Sequence, residues 1–583
     1  MNIYAKEVLL SLKETPFVSQ RSLAKKLDLS LGTINNAISQ LKKNQYIDDN
    51  YELLPKAQEL FPLSKPKNAI ILAAGYGMRM VPINSETPKG LLTIKNEPLI
   101  ERIIKQLYEV NITDITIVVG FMKEKYDYLI DKYNVKLVFN DLYREKNNLH
   151  SLYLMRNEIS NSYIIPCDVW CLENPFHKNE LYSWYMVTKE ISKKSTIRIN
   201  RKQELMITQD DKVKNKMIGI CYLTNKDADV IKENLVSMNA SSRYDNCYWE
   251  ESLVDHEKFI PAAKVLPASN VYEIDTYEQL RELDSESNHL KTDAIEIIKT
   301  TFNVENKDIK DIRVLKKGMT NRSFLFSIDD ESYIMRIPGE GTDQLINRKE
   351  EADIYKVINP YHSCDQVIYI NPDNGYKITK YYKNSRVCDP LDKNDLKQCI
   401  SILKKFHKLN LKVDHSFDLF AKIDFYEKLW NDQHSIFQDY KQTKDQIMSL
   451  KPFIESCKKD WCLTHIDAVP DNFLFLDNGE IKLIDWEYAG MQDPHVDIAM
   501  FCIYSLYDQK QIDDLIDLYF NGQCNESVRT KIYAYIAICG LLWSNWCEYK
   551  RNLGVEFGEY SLAQYRYAKN YYKKAKNRLG EIK

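Results

Sequence analysis

The sequence predicts a multidomain α/β protein made of three folded segments. Its 583 residues exceed the roughly 250 to 300 residues at which a single hydrophobic core stops growing. Apolar runs of strand length alternate with helical stretches in the middle of the chain, which indicates a mostly parallel sheet flanked by helices. The polar runs LSKPK and DSESNHLK interrupt this pattern, and they predict domains over residues 1–63, 67–285 and 290–583.

The composition is that of an ordinary soluble protein, with 44% hydrophobic and 28% charged residues. The net charge of −3 indicates no dominant polyanionic partner. Apolar runs stay short of the ~20 residues that a membrane span needs, and Lys6 and Glu7 interrupt the N-terminal apolar pattern, which argues against a signal peptide. The 13 cysteines form no CxxC pair. We therefore expect reduced cysteines, no membrane insertion and a cytoplasmic location.

Residues 1–63 have the pattern of a small helical domain. A first apolar helix precedes two short helices, which begin after Ser19 and Ser30 and are separated by a tight turn. With QYIDDNYELL as a candidate β-wing, the segment resembles the winged helix of bacterial regulators. Basic residues barely outnumber acidic ones, and the third helix carries none before Lys42, whereas DNA binding normally needs a stronger positive surface. DNA contact and a protein-docking or dimerising role, including a homodimer, both remain open.

The first strand of the second segment runs directly into LAAGYGMRM, and TPKGLL follows. Gly75 and Gly77 let backbone N–H groups approach phosphates closely, while Arg79 and Lys89 can neutralise the charge that develops on them. A GxG by itself more often serves only a tight turn. The arginine and lysine at this spacing favour a triphosphate site in which Arg79 and Lys89 are catalytic.

LAAGYGMRM, TPKGLL, NNLHSLYL and YEIDTYEQ together resemble the sugar-phosphate and choline-phosphate nucleotidyltransferases, above all bacterial CTP:phosphocholine cytidylyltransferase. The resemblance implies a Rossmann-like mixed sheet, with CTP and phosphocholine as substrates. The nucleotide contacts that it implies lie on one strand end and its loop: Leu72, Ala73, Ala74, Gly75 and Gly77.

The resemblance also implies a Mg²⁺ site on Asp168, which ends the strand SYIIPCD. Asp275 is the expected second ligand, although an acidic residue near a strand end is often a helix cap. Trp249 is expected to stack on the trimethylammonium group of phosphocholine, with core packing as the alternative. Because the nucleophile is already a phosphate anion, the reaction needs no general base.

The third segment begins with alternating strand patterns and becomes rich in helices after about Cys388, which predicts a small sheet lobe and a larger helical lobe. LTHIDAVPDNFLF and GEIKLIDWEYAG lie in the helical lobe. Asp467 can accept the proton of a substrate hydroxyl, while Asn472 and Asp485 can hold Mg²⁺ against ATP phosphates. Either motif alone is more often an ordinary turn and strand, but the pair at this separation predicts a kinase site.

The pair resembles the choline and ethanolamine kinases, relatives of the aminoglycoside phosphotransferases with a two-lobed protein-kinase-like fold. KKGMTNRSFLF is similar to the family's phosphate-covering loop, which implies nucleotide contacts by Thr320 and Asn321. The VAIK lysine of protein kinases is missing, so Arg336 is expected to take the nucleotide-phosphate role. Glu350 or Glu351 could orient Arg336, and we assign the role to Glu350.

Choline is a quaternary ammonium ion, which aromatic faces bind best. Two tryptophans in LLWSNWCEY are three residues apart and therefore share a helix face. The resemblance implies a choline site with these walls: Tyr488, Trp543, Trp546 and Phe557. Glu559 and Leu562 stand where choline kinases usually carry two tyrosines, so selectivity for choline is less secure than the fold.

The sequence thus predicts a bifunctional enzyme that phosphorylates choline with ATP and joins the phosphocholine to CMP from CTP, giving CDP-choline. Ethanolamine is the alternative substrate, which would give CDP-ethanolamine. A second alternative is a transcriptional regulator that uses the two downstream domains as ligand sensors.

Overall fold

The computed structural model describes residues 1–83, 87–315, 321–338, 345–430, 434–553, 555 and 557–581. The chain forms two compact units, Met1–Glu296 and Ile297–Lys583. None of the helices among these residues is long and apolar enough to cross a membrane.

The N-terminal part of the first unit is helical, with α1 (Ile3–Glu14), α2 (Gln20–Leu27), α3 (Leu31–Lys43) and α4 (Pro55–Leu63). Ser19 and Ser30 cap α2 and α3, since each side chain accepts a hydrogen bond from the backbone N–H three residues later. Both helices thus begin after the serines at which the sequence predicts them to begin. The candidate wing is reduced to a single antiparallel bridge between Ile47 and Leu53.

The rest of the first unit is built on a mixed sheet in the order β5-β4-β1-β6-β11-β8-β13-β10-β9, with β12 paired to β13. Short pairs β2-β3 and β14-β7 lie beside it. The strands are β1 (Asn68–Ala73), β2 (Thr93–Ile94), β3 (Glu97–Pro98), β4 (Ile115–Val119), β5 (Lys136–Phe139), β6 (Ser162–Pro166), β7 (Val169–Cys171), β8 (Trp184–Ile191), β9 (Ile197–Ile199), β10 (Glu204–Ile207), β11 (Asn215–Leu223), β12 (Val254–Asp255), β13 (Lys258–Leu266) and β14 (Val271–Glu273). The helices are α5 (Leu99–Glu109), α6 (Tyr128–Tyr133), α7 (Asn148–Leu154), α8 (Asn225–Asn239) and α9 (Tyr277–Leu283).

Strand β1 is central because it runs parallel to both β4 and β6. Alternate residues of β1 point into two separate hydrophobic cores, Ile71 on one face of the sheet and Ile70 on the other. The carboxyl ends of parallel strands meet at one edge of a sheet, and ligands bind there in open α/β folds. This edge therefore brings the glycine loop after β1 next to the residues that follow β6.

The second unit begins with α10 (Asp293–Phe302), within which the division between the units falls, and an antiparallel sheet in the order β15-β16-β17-β19-β18. Its elements are β15 (Lys310–Val314), β16 (Asn321–Ile328), β17 (Glu331–Pro338), α11 (Arg348–Ile358), β18 (Val367–Ile370) and β19 (Lys377–Lys380). This is the predicted small sheet lobe.

A helical lobe follows, with a short three-stranded sheet and one strand pair that carry the predicted catalytic motifs. Its helices are α12 (Lys393–Lys408), α13 (Leu419–Lys428), α14 (Tyr440–Met448), α15 (Lys451–Ser456), α16 (His495–Tyr504), α17 (Gln509–Phe520), α18 (Glu526–Asn552) and α19 (Glu559–Glu581). Its strands are β20 (Arg386–Val387), β21 (Cys462–Thr464), β22 (Phe473–Phe475), β23 (Ile481–Leu483) and β24 (Gly490–Gln492).

The long helix α18 forms the centre of this lobe, and α19 packs closely on it at Gly540. A Cβ atom at Gly540 would lie 2.8 Å from backbone atoms of Ala568 and Gln564. A larger residue there would push the helices apart. This close contact positions the aromatic residues at the start of α19 beside those of α18.

Candidate active sites

A cavity of about 390 Å³ opens at the sheet edge of the first unit, beyond the carboxyl end of β1. Leu72, Ala74, Gly75 and Gly77, four of the predicted nucleotide contacts, line it. Gly77 has a φ of 60°, a left-handed conformation that disfavours residues with a Cβ atom. Ala73 instead points into the core beneath the sheet, because it belongs to the other face of β1.

Basic and acidic side chains meet on one wall of this cavity. Lys89 Nζ lies 2.5 Å from Asp168 Oδ2 and 2.5 Å from Asp275 Oδ1, and Arg79 Nη1 lies 2.7 Å from Asp275 Oδ2. Burial by itself would lower the pKa of Lys89, but the two carboxylates raise it above its ordinary value. Asp275 is not a helix cap, since Thr276 caps α9.

Glu273 completes an acidic cluster that the sequence reasoning missed. One carboxylate oxygen from each of Asp168, Glu273 and Asp275 lies within 4.8 Å of the others. Strand β14 pairs Glu273 with Val169, the neighbour of Asp168, and the two-residue spacing in YEIDT was the signal available in the sequence. Burial and the charges of Asp168 and Asp275 raise the pKa of Glu273 to about 7. This oxygen-rich set fits a hard divalent cation such as Mg²⁺.

The assignment of Trp249 to the substrate site is wrong. Its side chain is only 1% exposed and packs against Tyr185 in the core, with ring centroids 6.0 Å apart. Its neighbour Tyr248 is 56% exposed and lines the cavity, as do Tyr76 and Tyr143. The aromatic wall of the cavity is therefore made of tyrosines.

The second unit contains a cavity of about 550 Å³, lined by residues of both lobes. Asp467, Asn472 and Asp485 are all in its wall. Asn472 Nδ2 donates to Asp467 Oδ2 at 3.1 Å and to the Asp467 carbonyl at 2.8 Å. Burial, with the charges of Asp485 and Glu487, raises the pKa of Asp467 to about 8. A cation bound beside these carboxylates would offset this effect.

The carboxylate of Asp497 stabilises the loop that carries Asp467. The Asp497 carboxylate accepts the backbone N–H of Ile466 at 2.7 Å and that of His465 at 3.1 Å. Its Oδ2 also lies 2.9 Å from His407 Nε2. Buried charge-assisted hydrogen bonds of this kind fix backbone geometry, so the candidate base rests on a rigid support.

Arg336 lies on β17 and lines the same cavity. Its Nη2 contacts Glu351 Oε2 at 2.7 Å, and its Nη1 contacts Glu487 Oε2 at 3.3 Å. The orienting residue is thus Glu351 and not Glu350, which is only partly buried in the first turn of α11. Burial would raise the pKa of Glu351, but Lys377 and Arg336 hold it far below its ordinary value.

Two predicted nucleotide contacts fall in the phosphate-covering loop. Thr320 lies outside the described residues. Asn321 begins β16, and its side chain is likewise outside the described part of the chain.

Aromatic residues wall the cavity beside Asp467. The rings of Tyr488 and Trp543 lie 5.8 Å apart, and those of Trp546 and Phe557 lie 5.2 Å apart. Both tryptophans and Tyr488 line the cavity, whereas Phe557 packs behind Trp546. Tyr560, which the sequence reasoning missed, also lines it. It is adjacent to Glu559, at which the expected tyrosine pattern breaks.

Three parts of the chain match known protein families. Residues 312–519 match the choline/ethanolamine kinase family, residues 69–182 a MobA-like NTP transferase domain, and residues 1–48 a winged helix-turn-helix DNA-binding domain. The chain is 35% identical over 222 residues to a choline-phosphate cytidylyltransferase of Streptococcus pneumoniae, covering 37% of this chain and 96% of that protein. It is 28% identical over 260 residues to the protein LicA of Haemophilus influenzae, covering 42% and 95%. The crystal structure of the choline kinase LicA from Streptococcus pneumoniae is 26% identical with a TM-score of 0.43, covering 48% and 98%.

The two sites define a transferase with a nucleotidyltransferase centre in one unit and a kinase centre in the other. The predicted multidomain α/β fold class is confirmed. The chain belongs to the choline-phosphate cytidylyltransferase family, joined in one polypeptide to a choline/ethanolamine kinase domain.

Proposed function

We propose that this chain converts choline, ATP and CTP into CDP-choline at two separate sites. The observation that carries the proposal is the aromatic wall of Trp543, Trp546 and Tyr488 beside Asp467, because a quaternary ammonium ion binds best to aromatic faces. The product of this reaction, a phosphomonoester, is the nucleophile that a cytidylyltransferase consumes. ATP and CTP as substrates and reduced cysteines together support a cytoplasmic location.

In the kinase step, Asp467 accepts the proton of the choline hydroxyl as its oxygen bonds to the γ-phosphorus of ATP and the bond to the β-phosphate oxygen breaks. Arg336, held by Glu351, neutralises charge on the nucleotide phosphates. Asn472 and Asp485 would hold Mg²⁺, which supplies further charge neutralisation on the phosphates when bound.

In the second step, a phosphate oxygen of phosphocholine attacks the α-phosphorus of CTP and pyrophosphate leaves. Lys89 and Arg79 stabilise the charge that develops on the phosphates, and the Gly75 to Gly77 backbone accommodates them. Asp168, Glu273 and Asp275 would hold a divalent cation, which would supply further neutralisation of phosphate charge when bound. Lys89 spans Asp168 and Asp275, so the cluster keeps its carboxylates close together before any substrate binds.

Incubation of the purified full chain with Mg²⁺, nucleotides and either choline or ethanolamine tests the proposal, with products followed by ³¹P NMR. We expect phosphocholine with ATP alone and CDP-choline only when both ATP and CTP are present. Ethanolamine should react more slowly, since a primary ammonium keeps donors that an aromatic wall does not satisfy. Equal or faster turnover of ethanolamine would show that the substrate is wrong while leaving both reaction types intact.

For the N-terminal domain we propose a docking role within the first unit. Tyr182 donates a hydrogen bond to Glu7 of α1, and Lys264 of β13 lies 3.3 Å from the same carboxylate. The wing sequence is acidic, and Asp49 pairs with Lys42, which removes positive surface that a DNA duplex would need. Salt-sensitive binding of the full chain to promoter DNA in a gel-shift assay would support DNA contact instead.

A further inference from the structure

A second cavity of the kinase unit, of about 500 Å³, lies between α19 and the loop 506–509 that leads into α17. Its walls share no residue with the cavity around Asp467. The face of α19 that borders it carries cationic and amide side chains at helical spacing: Arg566, Asn570, Lys573, Lys574 and Asn577. We call this cavity the α19 groove.

The positive charge of the α19 groove is only partly balanced by carboxylates. Asp508 lines the groove, but its Oδ1 accepts the Gln511 N–H at 2.9 Å and caps α17. Asp513, behind Gln509, lies 3.0 Å from Arg529 Nη1. Helix α17 also begins at the groove wall with Gln509, and a helix N-terminus adds partial positive charge. The groove therefore combines three cationic side chains with a helix end.

Hydrogen bonds hold the groove in shape. Gln509 Oε1 accepts from Tyr571 at 3.0 Å and from Lys574, while Gln509 Nε2 donates to Asp513 at 2.7 Å. Tyr567 donates to the Tyr507 carbonyl at 2.6 Å. Burial lowers the pKa of Lys574, so a bound anion would stabilise its charged form.

We propose that the α19 groove is a second binding site of the kinase unit, for a small molecule that carries a diphosphate group. Its volume lies within the roughly 300 to 1,000 Å³ of small-molecule sites. Arg566 provides a planar fork for phosphate oxygens, with Lys573 and Lys574 as additional cations. The choice of ligand rests on the proposed function, since pyrophosphate and CDP-choline are the diphosphates that the chain itself would release.

Hydrogen–deuterium exchange of the full chain tests this site separately from the two active sites. Pyrophosphate or CDP-choline should slow exchange in peptides covering 506–512 and 563–577, and added NaCl should weaken the effect. The double variant Lys573→Gln/Lys574→Gln should need about tenfold more ligand to reach the same protection, which corresponds to ~1.4 kcal/mol. Lys576→Gln, an exposed lysine of the same helix outside the groove, is the matched control.

The outcomes distinguish an error in the proposed groove site or its ligand from an error in the proposed function. Unchanged protection of the groove in the double variant overturns the site, as does the absence of protection at the groove in the unaltered chain. Protection in residues 72–79 reports binding at the proposed CTP site independently. Equal protection by inorganic phosphate, or protection only by phosphatidylglycerol vesicles, overturns the diphosphate assignment. Retained protection in Lys573→Arg/Lys574→Arg supports a charge-based site. A wild-type rate of choline phosphorylation in the double variant confirms that it is folded.

Discussion

At the residue scale, the kinase cavity has an aromatic wall that would suit a cation with methyl surfaces. Trp543 and Trp546 are each only 6% exposed, so little of either ring is left to bulk solvent. Lys550 Nζ lies 5.7 Å from the Trp546 ring centroid, and burial lowers the pKa of Lys550. The Trp546 ring therefore already has a lysine side chain as a neighbour before any substrate binds.

Replacement of Trp546 by Ala should raise the KM for choline about tenfold, because a desolvated cation–π contact contributes up to ~2 kcal/mol and ~1.4 kcal/mol equals a factor of ten. The KM for ATP should barely change. Trp461→Ala, which removes a 41% exposed tryptophan of the same unit, is the control. Steady-state kinetics measure both constants, and unchanged choline kinetics in Trp546→Ala would identify Trp546 as a packing residue.

At the scale of elements, α1 is attached to the nucleotidyltransferase sheet through a charged contact. Burial would raise the pKa of Glu7, but Lys264 and the hydrogen bond from Tyr182 hold it below its ordinary value. His177 lies 3.4 Å from Glu14 at the end of the same helix. Asn179 also donates to the Phe61 carbonyl of α4 at 2.7 Å. Helices α1 and α4 are therefore both anchored to the segment 177–182.

The variant Glu7→Ala should lower the free energy of unfolding by roughly 2 to 3 kcal/mol, because it leaves the largely buried Lys264 without the carboxylate that it contacts. The double variant Glu7→Leu/Lys264→Met should recover most of this loss, since apolar side chains of similar size often replace a buried ion pair without cost. Glu59→Ala, at an exposed position on α4, should have little effect. Urea unfolding of the full chain measures these changes, and equal stability of Glu7→Ala and Glu59→Ala would contradict them.

At the scale of the whole molecule, each compact unit contains its own acidic set. Asp168, Glu273 and Asp275 belong to the first unit, whereas Asp467 and Asp485 belong to the second. Neither cavity draws a wall residue from the first 63 residues. The two reactions are therefore expected to be separable by single substitutions.

Asp467→Asn should reduce choline phosphorylation at least ~100-fold, the lower range for loss of a general base, and leave cytidylyl transfer to supplied phosphocholine nearly intact. Asp168→Asn should have the reverse effect. A mixture of the two variants should again form CDP-choline from choline, because phosphocholine can diffuse between molecules. Coupled assays measure both rates, and loss of both activities in either variant, with an unchanged circular dichroism spectrum, would contradict two independent sites.

The sequence by itself determined the fold class and the types of chemistry, because these depend on local spacing. Gly75 and Gly77 follow a strand directly, and Asp467 and Asn472 occur at a fixed distance within one loop. Such patterns are set by backbone geometry and hydrogen bonds between near neighbours. These patterns can therefore be recognised in the sequence without knowing which residues pack against them in the folded chain.

Only the tertiary structure decided which of two adjacent side chains faces a cavity. Tyr248 lines the cavity beyond β1 while Trp249 is buried, and Glu351 is buried against Arg336 while Glu350 is only partly buried. Glu350 and Glu351 point about 100° apart on α11, whereas Tyr248 is an extended residue that precedes the helical turn beginning at Trp249. In both pairs, packing against distant elements selects the residue that is buried. Glu273 likewise reaches Asp168 only because β14 pairs with β7, a contact between residues about one hundred positions apart that local spacing cannot encode.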